Sequence, residues 1–176
     1  MKTLFLFSCA IFFSLSIFGQ AISEQKLKEI TKTADKEALR YKATLKDKDL
    51  SSDQVEFSVD TFRINRIVDY RIEVDYTTVG MNKAVRQLTA DYDKLLNKYY
   101  QKLLKMLDEE DKKALIEAER AWIKYRDAEK ELIGTMTKEQ YSGGGTIQSN
   151  IATGSYASLV IKRTVDIFNY YNEALK

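Results

Sequence analysis

Residues 114–133 read ALIEAERAWIKYRDAEKELI, and this stretch decides the fold class. It holds no Gly and no Pro, and it is dominated by Ala, Leu, Glu, Lys and Arg, all strong helix formers. At 100° per residue, Ala114, Ala118, Ala121, Trp122, Tyr125, Ala128 and Leu132 share one side, the spacing of a buried helix face. Glu117, Arg120, Lys124, Asp127 and Glu131 share the other. The small Ala residues let a neighbouring helix approach closely, while Trp122 and Tyr125 fill the space that remains. One polar residue, Glu129, projects into the apolar arc, and Arg126 sits three residues back at its edge.

Upstream, Thr77 or Thr78 is the predicted N-cap of a helix running to about Leu107. Val85, Leu88, Tyr92, Leu95, Leu96, Tyr99, Leu103 and Leu107 form its stripe, widened by Tyr100 and Leu104, the strongest amphipathic pattern in the chain. Asp108, Glu109, Glu110 and Asp111 follow. They read as a cap plus first-turn acids that complement the helix dipole, or as an acidic knob for a basic partner. So short a link predicts an antiparallel hairpin of 78–107 and 112–133 at the centre of a small all-α bundle of four to five helices.

Downstream, Gly134 is a candidate C-cap, and the stretch from Thr135 to Ser155 is irregular. Gly143, Gly144 and Gly145 have the look of a phosphate cradle, but a P-loop ends in GK[ST] and here the residues are Gly145, Thr146 and Ile147. The alternative is a flexible connection between helices. A last helix, starting near Ile147 or Ser155 and ending near Ala174, carries Tyr156, Leu159, Val160, Val165, Ile167, Phe168 and Tyr171.

Nearer the N-terminus, Ser23 to about Leu45 is a predicted helix with Ser23 as cap and a thin stripe of Ile22, Leu27, Ile30, Ala34, Ala38 and Tyr41. Ser23 and Lys26 have the spacing of the SxxK acyl-enzyme motif, but its SDN and KTG partners are absent. Ser51 to Tyr76 is ambiguous. Ser51 with Gln54, or Asp53 with Glu56, makes a capping box, yet Val68, Tyr70, Ile72, Val74 and Tyr76 alternate with Asp69, Arg71, Glu73 and Asp75 as in a strand. No partner strand and no hairpin turn exist, and a lone strand leaves its backbone groups unpaired. Helix is the expectation, with contacts on more than one side.

Composition sets the class of function. Lys2 followed by an apolar run from Leu4 to Phe18 and then Gly19, Gln20 and Ala21 predicts a secretory signal peptide over residues 1–21, with one helical domain in 22–176. The run is short for a membrane span of about 20 residues, though a retained anchor is the alternative. Cys9 lies too early to be a lipid-bearing residue at the cleavage point. The whole chain has 28 basic and 26 acidic residues, so losing Lys2 leaves 27 against 26 and a net charge of +1. Such a balance gives no footing for nucleic acid or an anionic membrane. There is no His and a single Cys, within the signal segment, which excludes a Ser-His-Asp triad, a thiol nucleophile, a Cys/His zinc site and a disulfide from residues 22–176. No cofactor is implied.

These residues also carry a likeness. AERAWIKYRDAE, at 118–129, resembles the signature helix of the LprI-like lysozyme-inhibitor family, small secreted helical proteins. TTVGMNKA and ADYDKLLNKYYQKLL resemble its first helix, and GGGTI with KRTVDIF resemble its glycine loop and last helix, so the likeness runs from about Thr77 to Ile167. The family often ties these helices with Cys pairs; this chain has Lys130 where the signature helix often has Cys, so packing must replace the tie. The resemblance marks Trp122, Tyr125, Arg126, Asp127 and Glu129 as signature positions. Arg126, Asp127 and Glu129 form either a recognition cluster or a partly buried polar network in which Arg126 reaches Glu129 or an acid on another helix.

Three functions compete. The first is an exported, non-enzymatic binding protein whose protein partner is a lysozyme-like hydrolase, with Asp108, Glu109, Glu110 and Asp111 as candidate contacts. The second is an envelope structural or interaction protein with another protein partner; the eleven Tyr residues suit an interface as well as a core. The third is a cell-wall hydrolase built on paired carboxylates, for which no acid pair is placed by motif.

Overall fold

Four helices begin at side chains that the sequence supplies as caps. The computed structural model describes residues 22–175; the signal-peptide reading of 1–21 lies outside the described residues. Ser23 accepts a hydrogen bond from the Lys26 backbone N–H at 3.2 Å and opens α1 (Glu24–Thr44). Lys26 turns its ammonium to Glu29, so the SxxK spacing here is a helix cap. Ser51 and Gln54 form a reciprocal capping box, at 3.2 and 2.7 Å, that opens α2 (Ser52–Val74). Thr77 accepts from the Gly80 N–H at 3.0 Å and opens α3 (Thr78–Met106). Asp108 accepts from the N–H groups of Glu110 and Asp111, both at 2.9 Å, and opens α4 (Glu109–Met136). A short α5 (Glu139–Ser142) and a long α6 (Ile147–Ala174) complete the helices of the described residues. The expected all-α bundle is what forms.

The centre of the bundle differs from the expected hairpin. By far the most extensive contact joins α3 to α6. The two run parallel: Asn82 donates to Ser149 at 2.9 Å, Thr164 donates to the Tyr92 carbonyl at 3.1 Å, and Tyr99 meets Phe168 edge-on at 4.9 Å. The apolar stripe of α3, from Ala84 to Leu103, is buried against Ala157, Val160, Ile167, Phe168 and Tyr171. Thr164 is fully buried, and its hydroxyl is satisfied by the Val160 and Tyr92 carbonyls. α4 does return antiparallel to α3, but its backbone stands off and packs on α6 instead. The reason lies in the side chains: α6 presents an unbroken apolar face to α3, whereas the inward line of α4 is half polar.

α2 lies between two neighbours, which explains its strand-like alternation. One face reaches α3 and α6 through Ile64, Val68 and Phe57, the last stacked on Phe168 at 3.8 Å. The other face meets α1, where Tyr41 stacks on Phe62 at 4.5 Å and Glu37 accepts from Arg66 at 2.8 Å and Tyr70 at 2.6 Å. Val68 thus belongs to one face and Tyr70 to the opposite one. The segment is helix throughout, as expected over the strand alternative.

Two glycines behave differently from one another. Gly134 does not cap α4: the helix passes through it to Met136 and ends at Thr137. Gly80 leaves room for the Asp75 carboxylate, which a Cβ there would push aside from the bonds it accepts from the Thr77 N–H at 3.1 Å and hydroxyl at 2.6 Å. The triplet Gly143, Gly144 and Gly145 takes φ of 76°, 77° and 88°, left-handed values that let the chain reverse from α5 into α6.

Candidate functional site

α4 is fastened along one edge only. Leu115, Glu119, Trp122, Arg126, Glu129 and Ile133 recur at helical spacing and face inward, yet Leu115 alone is fully buried. Arg163 of α6 donates to one Glu119 carboxylate oxygen at 2.8 and 3.0 Å. With side chains 12% and 15% exposed, this is the least exposed ion pair among the described residues. Trp122 lies between two guanidinium groups, 5.3 Å from Arg126 and 5.8 Å from Arg163 to the ring centroid, a double cation–π contact. Farther along, the Lys130 ammonium sits 5.9 Å from the Tyr156 ring of α6. These polar and aromatic contacts join α4 to α6.

The face expected to be buried is turned outward. Ala114, Ala118, Ala121 and Ala128 are exposed, and so are Tyr125 at 53%, Leu132 at 51% and Met136 at 52%. The inward line is rotated by about 100° from the hydrophobic stripe at 100° per residue. Pairing Glu119 with Arg163 brings that polar edge against α6 and carries the Ala stripe into solvent. Hydropathy weighs apolar area alone and does not foresee an ion pair at an interface.

The predicted site residues separate into two groups. Trp122, Arg126 and Glu129 lie on the inner edge, while Tyr125 and Asp127 are exposed. Arg126 reaches neither Glu129 nor another helix; it donates to the adjacent Asp127 at 2.7 and 2.9 Å. Burial works against the Arg126 charge, but the Asp127 bonds, together with the electrostatic pull of Tyr156, Asp127 and Asp93, hold its pKa above the ordinary value. Among the acids, Asp108 is committed to capping and Glu109 pairs with Lys112 at 2.5 Å. Glu110 and Asp111 stand exposed. The pairing of Glu119 with Arg163 is not foreseen from the sequence. The signal available was Glu119, Trp122, Arg126 and Glu129 sharing a helix edge, a polar line too regular for a solvated face.

Among the described residues, no group of three or more Asp, Glu, His or Cys side chains is placed to hold a metal ion. No helix of those residues is long and apolar enough to cross a membrane.

The profile of the family described as lysozyme inhibitor LprI matches residues 73–166, more than half of the chain. The chain belongs to the lysozyme inhibitor LprI family. The LprI span begins at the last turn of α2 and takes in α3, α4, α5 and most of α6. The parallel α3–α6 pair and the α4 edge are therefore features of the LprI region. α1 and nearly all of α2 lie outside it; α2 packs along α3 and α1 packs on α2, and neither covers the outward stripe of α4. No curated protein and no solved structure matches the chain significantly.

Proposed function

We propose that the chain is exported after loss of its N-terminal segment and is a non-enzymatic binding protein whose partner is a lysozyme-like peptidoglycan hydrolase. The observation that carries this reading is the open Ala114–Leu132 stripe of α4 within the LprI region. An amphipathic helix whose anchors recur every three or four residues is a common way of filling a groove on a partner protein. Ala114, Ala118, Ala121 and Ala128 keep the helix backbone accessible, while Tyr125 and Leu132 stand out as anchors. Exposed Glu110 and Asp111, at the start of the same helix, add local attraction to a basic surface. Export is supported by Lys2 with the apolar run from Leu4 to Phe18, and by membership of an inhibitor family.

The test is inhibition of a c-type lysozyme by residues 22–176. The expected result is dose-dependent inhibition, weakened roughly tenfold or more by Tyr125→Ala or Leu132→Asp, the cost of an interface anchor. Neither side chain is buried, so both variants keep their helicity. Absence of inhibition by the folded chain overturns the reading.

A further inference from the structure

Where α4 passes beyond Trp122, it and α6 leave a cavity of about 380 Å³ between them. Ile133, Gly134, Ala152, Thr153 and Tyr156 line it, with Arg86 of α3 and Lys130 of α4 completing the wall. The lining is mostly apolar, and the size falls within the range typical of small-molecule pockets. Small residues create the space: a Cβ at Gly134 would meet nothing within 4 Å. Arg86 and Lys130 are exposed, and no carboxylate lines the cavity to pair with them. Lys130 instead rests over the Tyr156 ring.

An apolar floor with two uncompensated cations at its wall fits one chemistry, a small amphiphile with an anionic head. We infer that this cavity binds a short acyl or aromatic carboxylate, its tail between Ile133, Ala152 and Tyr156 and its head at Lys130 and Arg86. A cationic or zwitterionic head finds no carboxylate in the lining. A neutral alcohol gains the apolar floor without the charge-assisted bonds. This site is separate from the outward stripe of α4 and does not depend on the partner proposed above.

Isothermal titration of the 22–176 chain with decanoate is the test, with decanol and decyltrimethylammonium as comparators. Saturable binding of decanoate, and clearly weaker binding of the other two, is expected. Lys130→Met and Arg86→Met each lower decanoate affinity by roughly tenfold to a hundredfold, the worth of a hydrogen bond to a charged group. Both replace an exposed side chain, so circular dichroism stays unchanged. Gly134→Leu places its side chain in the cavity, favours the helix and abolishes binding. No saturable decanoate binding overturns the inference, as does equal binding of the three amphiphiles. Decanoate affinity that is the same in all three variants overturns it too.

Discussion

If a half-polar edge holds α4 in place, breaking the Glu119–Arg163 pair should loosen that helix before the rest of the bundle. Arg163 makes two charge-assisted bonds to one Glu119 oxygen, with side chains 12% and 15% exposed. Removing one member of a fully buried pair costs about 3–5 kcal/mol, largely by stranding the other charge. Partial exposure reduces that figure, so Arg163→Met is expected to cost about 2–3 kcal/mol. It also removes one of the two cations flanking Trp122. Glu119→Gln keeps an acceptor and should cost about 1–2 kcal/mol. The double variant should fall short of the sum by about 1 kcal/mol or more, as coupled neighbours do. Trp122 is the single Trp of the chain and lies at this contact, so its fluorescence reports on α4 while circular dichroism reports on all helices. In urea, the Arg163→Met fluorescence transition should precede the dichroism transition. Single variants costing under about 0.5 kcal/mol, with coincident transitions, would refute the reasoning.

Other parts of the structure give sharper single-residue expectations. Ser51→Ala removes half of the capping box on α2 and should lower stability by about 1 kcal/mol, read by thermal unfolding. Gly80→Ala should destabilise, although Ala is the better helix former by about 1 kcal/mol. Its Cβ meets the Asp75 carboxylate, and adding Asp75→Gly should recover that preference. Acid titration tests the α2–α3 and α1–α2 contacts. Hydrogen bonds from Lys102 and then Tyr171 hold the Asp53 carboxyl below its ordinary range, and Tyr70 and then Arg66 do the same for Glu37. Folded-state values below the unfolded ones mean stability that is full above the usual carboxylate range and lost as pH falls through it. Unfolding free energy should therefore drop between about pH 5 and pH 3. The gap between the parent chain and Asp53→Asn should narrow over the same interval.

The sequence shows most of the helices because their ends and stripes are local. Ser23, Ser51, Thr77 and Asp108 cap as their residue types predict, and the stripe of α3 from Val85 to Leu103 turns inward as its spacing requires. What is not legible is pairing between distant helices. That α3 takes α6 rather than α4 as its main partner depends on two apolar faces 67–72 residues apart at Asn82–Ser149 and Tyr92–Thr164. The rotation of α4 depends on an ion pair 44 residues apart, which hydropathy does not weigh. The period-two pattern at Val68–Tyr76 misleads for a related reason, since a helix held between two neighbours is apolar on both sides. Gly134 reads as a helix end, yet its propensity cost is too small to stop a helix already running for 25 residues.

The most direct measurement is hydrogen exchange of residues 22–176 with and without a c-type lysozyme at physiological salt. Slowed exchange is expected, confined to α4 between about Ala118 and Leu132, where the stripe is open in the free protein. Protection confined to α1 and α2, or exchange unchanged at saturating lysozyme, would contradict it.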